Sequence, residues 1–133
     1  MDILDAACSS RGVFVDLADK RALLMLLRLR EHGVQRFSEL QRSIGGISRK
    51  MFSQTLRTLE RDGLVVRTVD PDATPPLVHY GLTVLGREIA EKTRVLCAWT
   101  HNRAAQVHAA RAAYDQPIAT SEGAPSEGAP SVG

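Results

Sequence analysis

The feature that most constrains the fold is a pair of glycines, Gly45-Gly46, between two short helical patterns. The helix before them is predicted to begin with an S-x-x-Q capping box formed by Ser38 and Gln41. The helix after them is predicted to be capped by Ser48 and to run to Asp62. Two helices joined by so short a glycine turn are typical of a helix-turn-helix.

The surrounding segments extend this pattern. Apolar periodicity predicts a helix over about 13–31, before the glycine turn. After it, the ranges 64–69 and 77–82 read as strands on either side of a proline-rich turn, PDATPP. Thr83 can cap a last long helix over about 84–114. The predicted fold class is therefore mainly α with a small β hairpin, a winged helix-turn-helix.

Three regions are predicted along the chain. Residues 1–12 form an N-terminal arm, 13–116 the winged-helix domain, and 117–133 a disordered tail. The tail repeats SEGAP in tandem at 121–125 and 126–130, and such small, polar, Pro- and Gly-rich residues offer nothing to bury.

Composition and charge exclude several classes of protein. No stretch approaches the ~18 apolar residues that a membrane span needs, and Asp2 and Asp5 occupy the place where a secretory signal is basic. Two cysteines, Cys8 and Cys97, are too few for a disulfide scaffold, so we expect a cytoplasmic protein. Residues 11–67 hold twelve Lys and Arg against six Asp and Glu, which suggests a polyanionic partner.

The predicted helix 48–62 has two chemically different faces. Phe52, Leu56 and Leu59 recur at helical spacing and should face inward. The opposite face carries the predicted base-reading residues, Arg49, Lys50, Ser53, Gln54 and Arg57. Arg and Lys donate to guanine and Gln pairs with adenine, so this stripe suits the major groove. An ordinary solvated face is the alternative, but the capped partner helix and the glycine turn favour DNA.

Side chains beside this helix are predicted to contact phosphates and fix register rather than sequence. They are Arg36, Ser48, Arg42 and Arg67. The predicted tip of the wing, Asp70-Pro71-Asp72, is acidic and should be repelled by phosphate. A winged-helix protein-interaction module that does not read DNA is therefore kept as the alternative function.

The sequence supports neither an enzyme nor a cofactor or metal site. Its carboxylates are scattered, no nucleophile is paired with a base, and Gly45-Gly46 is too short for a phosphate-binding loop. His101 and His108 lie seven residues apart on the last predicted helix, where solvated or core-edge histidines are the commoner case. A small-molecule effector between the helices remains open, with no ligand indicated.

Several separate motifs resemble the HxlR-type winged-helix transcriptional regulators. They are RFSELQRSIGGISRKMFSQTLRTLERDGLVVRTV (36–69), PPLVHYGLTVLGREI (75–89) and LCAWTHNR (96–103), in the family's order. The similarity extends from about Cys8 to Asp115. It implies a small homodimeric DNA-binding protein, usually a repressor, whose first and last helices build the dimer. It also implies that the helix at 48–62 enters the major groove.

The last helix carries the predicted dimer interface. Its apolar residues Leu85, Ile89, Leu96 and Trp99 form a stripe longer than one such domain needs. Because a monomer would expose that stripe, we expect a homodimer. A two-fold symmetric dimer in turn predicts an inverted-repeat operator in double-stranded DNA.

The resemblance also makes Cys8 and Cys97 candidates for a redox sensor. In the family a cysteine commonly lies just ahead of helix 1, and Cys8 stands twelve residues before Lys20, in the corresponding place. In some members this thiol responds to oxidants or electrophiles, at times by bonding to a cysteine on the partner's last helix. Cys97 occupies such a helix here, although a small buried hydrophobe is the commoner fate of a helical cysteine.

Overall fold

The computed structural model describes residues 2–117, which form five helices and a three-stranded sheet. The elements in chain order are α1 (Ser9–Ala18), α2 (Lys20–His32), β1 (Gln35–Arg36), α3 (Phe37–Ser43), α4 (Arg49–Arg61), β2 (Val65–Asp70), β3 (Leu77–Leu82) and α5 (Val84–Asp115). The chain divides into two compact units, Met1–Ala98 and Trp99–Gly133. The order of elements confirms the predicted mainly helical winged helix-turn-helix. The predicted tail, apart from Pro117, lies outside the described residues.

The single helix predicted over 13–31 is wrong, because the chain forms two helices with a break at Asp19. That residue has extended backbone angles, φ −64° and ψ 128°, and its carboxylate accepts a 2.8 Å hydrogen bond from the backbone N–H of Arg21. Capping the free N–H groups of a first turn favours starting a new helix at this point. The first helix also begins earlier than predicted, at Ser9, so residues 9–12 of the predicted arm are helical.

The cap at the start of α3 involves other residues than the predicted capping box. The N-cap is Arg36, and the Glu39 carboxylate accepts a 2.8 Å hydrogen bond from the Arg36 backbone N–H. A charged carboxylate is a stronger acceptor than an amide oxygen, so Glu39 takes this role in place of the predicted pair, Ser38 and Gln41.

The turn between α3 and α4 has the predicted glycine chemistry. Gly46 adopts φ 76°, in the left-handed region that a side chain with a Cβ rarely enters. Two residues later, the Ser48 hydroxyl oxygen accepts a 3.2 Å hydrogen bond from the backbone N–H of Met51, which confirms the predicted N-cap of α4.

The sheet is antiparallel and has the strand order β1-β3-β2. The predicted hairpin is present as β2 and β3, which pair along their full length. The strand β1 was not predicted; it places Gln35 opposite Tyr80 and Arg36 opposite His79. Two residues are too few to show the alternation of polar and apolar side chains that identifies a strand.

The core lies among α2, α3, α4 and the sheet. The three residues predicted to face inward from α4, Phe52, Leu56 and Leu59, are all buried. The other core residues are Ala22, Met25, Leu26, Leu29, Leu40, Ile44, Leu64, Val65, Tyr80 and Ala90. Phe14 and Leu24, apolar positions of the predicted first helix, remain about half exposed.

The first turns of α5 approach the core very closely. Gly86, Ala90 and Thr93 are its buried residues. A Cβ on Gly86 would overlap the carbonyl oxygen of Leu64, so only glycine fits there. Thr83 caps the helix as predicted, since its hydroxyl oxygen accepts a 2.9 Å hydrogen bond from the Gly86 N–H. The same hydroxyl donates at 2.7 Å to the carbonyl of Gly63.

An ion-pair cluster also joins α5 to α2. The Glu91 carboxylate accepts 2.7 Å hydrogen bonds from the guanidinium groups of Arg94 and Arg30. These bonds to Arg94 and Arg30 lower the pKa of Glu91 to about 2.

Candidate nucleic-acid interface

The helix α4 places apolar and polar side chains on opposite faces. Phe52, Leu56 and Leu59 are at most 2% exposed and anchor one face in the core. On the other side, Arg49, Lys50, Gln54 and Arg57 are exposed, and Ser53 is half-buried. The packing thus presents the predicted base-reading residues to solvent together.

The N-terminal end of α4 favours an anion. Its first turn holds no acidic side chain and begins with Arg49 and Lys50. The free backbone N–H groups and the positive end of the helix dipole add to this positive potential. The Ser48 hydroxyl oxygen accepts a hydrogen bond from the Met51 backbone N–H, which leaves its hydroxyl hydrogen for a phosphate oxygen.

Arg49 is held against the protein body in a way that the sequence did not indicate. Its guanidinium carbon lies 4.9 Å from the centroid of the Phe37 ring, a cation–π contact. Phe37 packs edge-on against Phe52, with 5.0 Å between ring centroids. The Phe37 ring therefore restrains the Arg49 side chain.

A cavity of about 370 Å³ brings α4 and the wing together. Arg57 and Ser53 of α4 line it with Arg67 of β2. Two guanidinium groups from different elements thus share one cavity, an arrangement suited to a phosphate. Glu60 also lines the cavity, although the spacing along the chain does not indicate that Glu60 and Arg67 share one cavity.

The other predicted phosphate contacts lie on the α3 side. Arg36 is exposed at the start of α3, and Arg42 is exposed at its end. Arg42 borders a polar depression with Arg28 of α2, a basic residue that was not predicted. Arg28 donates a 3.3 Å hydrogen bond to the side-chain oxygen of Gln35. The partner of this hydrogen bond, Gln35, belongs to the strand β1, which was not predicted.

The acidic residues predicted at the wing tip adjoin the turn between β2 and β3. Asp70 ends β2, and its carboxylate accepts a 3.0 Å hydrogen bond from the backbone N–H of Asp72. Both side chains are exposed. The basic surface therefore belongs to α3, α4 and Arg67 rather than to the tip of the wing.

The remaining predicted site residues lie outside this surface. In the predicted dimer stripe, Leu85, Leu96 and Trp99 are 52–56% exposed, and Ile89 is half-buried. Cys8 is half-buried and Cys97 exposed, and both are free thiols.

The described residues hold neither a metal-ligating cluster nor a membrane-spanning helix. Between residues 2 and 117, no group of three or more His, Cys, Asp or Glu side chains could hold a metal ion. Nor is any helix in that range both long and apolar enough to span a membrane.

Comparison with known proteins agrees with this geometry. Over 104 residues the chain is 42% identical to YtfH of Escherichia coli (strain K12), an HTH-type transcriptional regulator, covering 78% of this chain and 81% of that protein. The structure of the transcriptional regulator YtfH from Salmonella typhimurium superposes with a TM-score of 0.75 at 38% identity, covering 83% of this chain and 96% of that one. The redox regulator HypR, in its oxidised form, matches with a TM-score of 0.65 at 28% identity, covering 71% and 96%.

A sequence model of the HxlR-like helix-turn-helix proteins matches residues 17–108, a range that holds both the helix-turn-helix and the wing. The chain therefore belongs to the HxlR-like helix-turn-helix family, whose members found here are transcriptional regulators.

Proposed function

We propose that this protein is a sequence-specific DNA-binding repressor that acts as a homodimer, with α4 in the major groove. The observation that carries the proposal is the polar face of α4, opposite three buried apolar residues. In this proposal the base edges are read by Arg49, Lys50, Ser53, Gln54 and Arg57. Arg49 supplies a contact that is positioned in advance, because Phe37 restrains it.

The proposed phosphate contacts surround α4. Arg67 takes one phosphate together with Arg57, because both line the cavity between α4 and β2. Arg36, Arg42 and Ser48 take others along α3 and the start of α4. Arg57 is then shared between a base and the backbone, so its loss should weaken both specific and non-specific binding.

The proposed dimer forms through α1 and α5. Val13, Phe14 and Val15 of α1 are each more than half exposed, as are Leu85 and Trp99 of α5. A single chain leaves this much apolar surface unburied, and a second copy supplies a matching surface by symmetry. Two recognition helices related by a two-fold axis would read an inverted repeat.

A gel-shift titration with the upstream region of the gene, at 50 and 200 mM salt, tests DNA binding. Eight or so phosphate contacts per dimer should make the affinity fall on the order of a thousandfold or more between the two concentrations, through counterion release. The Arg57→Ala variant should bind more weakly, whereas Arg111→Ala, a matched loss of charge on α5, should not.

Equal, weak binding to a scrambled duplex would instead support the protein-interaction module. A reporter fused to the same upstream region separates repression from activation: deletion of the gene should raise expression.

A second function, a response to oxidants, is favoured by the similarity to the redox regulator HypR and by the two free thiols. In this proposal, Cys8 of one protomer and Cys97 of its partner form a disulfide. Each thiol loses one proton and one electron. Diamide is a suitable oxidant, because it takes up the two protons and two electrons and becomes a hydrazine. The cross-link would change the separation of the two recognition helices and release DNA.

Treatment with diamide, followed by a non-reducing gel and the gel shift, tests this response. We expect a dimer-sized band and loss of binding, both abolished in Cys8→Ser and in Cys97→Ser. Release of DNA from oxidised Cys8→Ser protein would exclude Cys8 as the sensor.

A further inference from the structure

The cavity between α4 and the wing has a carboxylate beside its two guanidinium groups. Glu60, Arg57 and Arg67 all line this space of about 370 Å³. Arg57 and Glu60 stand three residues apart on α4, so their side chains leave neighbouring positions on one face of the helix. Arg67 is paired with Tyr80 across the sheet, and because Tyr80 is buried, Arg67 leaves the sheet on its core-facing side. Two strands of evidence, the helix spacing and the sheet register, thus bring the three charges to one cavity.

The charge of Glu60 is not explained by an ion pair or by the helix. Its side chain is exposed, and within residues 2–117 it forms no ion pair shorter than 4 Å. It also lies in the last turn of α4, where the helix dipole disfavours a negative charge. The carboxylate is therefore free to act on whatever enters the cavity.

We propose that Glu60 is a specificity-determining residue that directs Arg57 to the bases. This inference rests on the proposed function, in which Arg57 is shared between a base edge and a phosphate. When Arg57 joins Arg67 in holding a phosphate, that phosphate lies in the cavity with Glu60 and is repelled by its carboxylate. When Arg57 donates to a base edge, it brings no second anion to Glu60. The carboxylate thus penalises mainly non-specific binding, in which a phosphate is all that Arg57 can contact.

The Glu60→Gln variant tests this role. It removes the charge and keeps the shape of the side chain, and because Glu60 is exposed, the variant should keep the wild-type Tm. Fluorescence anisotropy measures its affinity for two duplexes, the upstream region of the gene and a scrambled copy, over a range of salt concentrations.

The two duplexes should respond differently to Glu60→Gln. Affinity for the scrambled duplex should rise about tenfold per dimer, because two repulsive charges are removed. Its salt dependence should become steeper, by about one to two in the slope of log K against log salt. Affinity for the upstream duplex should rise less than about threefold, so the ratio of the two affinities should fall. An equal change on both duplexes, or no change on the scrambled one, would overturn the proposal.

Three further variants locate the effect. Asp115→Asn removes the same charge from the exposed end of α5 and should leave the affinity ratio unchanged. Glu60→Asp keeps the charge and should keep the ratio close to that of the wild type. In an Arg57→Ala background, Glu60→Gln should change the ratio by less than about twofold, because the shared guanidinium is gone. A fall of the ratio in Asp115→Asn, or a full effect in the Arg57→Ala background, would overturn the assignment.

The same measurements distinguish this inference from the proposed function. A wild-type protein that binds both duplexes equally would contradict the proposed function, and the role of Glu60 with it. A wild-type protein that prefers the upstream duplex, together with an unchanged ratio in Glu60→Gln, would contradict the role of Glu60 alone.

Discussion

The helices α4 and α5 use their faces in opposite ways. In α4 the large apolar side chains are buried and the polar ones exposed. In the part of α5 within the first unit, small residues are buried, namely Gly86, Ala90 and Thr93. The large apolar residue Leu85 of the same helix stays about half exposed.

The difference separates two kinds of surface. The apolar face of α4 is buried within its own chain, so the outer face is available to a polar partner such as DNA. The helix α5 approaches the core through small residues, so its larger apolar side chains remain for another protein surface. Amphipathicity alone therefore does not tell which face of a helix meets its own chain.

The largest expected effect concerns the buried face of α4. Phe52→Ala should lower the free energy of unfolding by about 3–5 kcal/mol, because a fully buried ring is replaced by a cavity. Urea denaturation measures this loss. Gln54→Ala, on the exposed face of the same helix, should change stability by less than about 0.5 kcal/mol. Similar losses for both variants would contradict the two-faced arrangement.

The exposed apolar side of α5 should show its effect in assembly rather than in folding. Trp99→Ala should weaken the homodimer by about 2 kcal/mol or more, roughly thirtyfold, if the ring is a central contact. Sedimentation velocity across a dilution series measures the change. Val34→Ala, which truncates an exposed apolar residue before β1, serves as control. A wild-type protein that is monomeric at micromolar concentration would remove the basis of the comparison.

The close approach of α5 depends on Gly86. Gly86→Ala should cost about 1–3 kcal/mol of stability, because the new methyl group overlaps the Leu64 carbonyl and forces the helix outward. Gly12→Ala is the matched control, since nothing lies within 4 Å of its Cβ position in α1. There alanine should stabilise by about 0.5–1 kcal/mol. Thermal unfolding of both variants should therefore give shifts of opposite sign.

The polar face of α4 should affect specificity. Gln54→Ala should reduce binding to the operator by about 1–3 kcal/mol if the amide contacts a base edge, and should leave binding to unrelated DNA unchanged. Arg36→Ala should instead weaken binding to all sequences alike and reduce the salt dependence. Fluorescence anisotropy with operator and scrambled duplexes distinguishes the two outcomes. Unchanged operator preference in Gln54→Ala would show that another face of α4 reads the DNA.

The smallest effect concerns the ion pairs that attach α5 to α2. Because the pKa of Glu91 is lowered from 4.5 to about 2, its pairing with Arg94 and Arg30 stabilises the fold above about pH 4.5. That contribution should be lost as the pH falls from 4.5 towards 2, and should decrease at high salt, since the group is exposed. Tm measured against pH for the wild type and Glu91→Gln should converge at the acid end. A constant difference would show that the pairing contributes nothing.

The sequence predicted local features where a few neighbouring residues decide the outcome. The Ser48 cap, the glycine turn, the inner face of α4 and the Thr83 cap were all predicted correctly, since each depends on residues within one or two turns. The break at Asp19 and the cap at Arg36 were missed although they too are local. In both cases a carboxylate competed with another pattern, a continuous apolar run in one and S-x-x-Q in the other.

By itself, the sequence determined the helix-turn-helix, the hairpin, the long last helix, the polar stripe of α4 and the family, because side-chain periodicity and capping act over short distances. Only the tertiary structure decided which side chains from distant positions meet. It placed Arg67 at the same cavity as Arg57, and Arg49 over Phe37. These contacts depend on how the helices and the sheet pack around a shared core, and the spacing of residues along the chain carries no record of that packing.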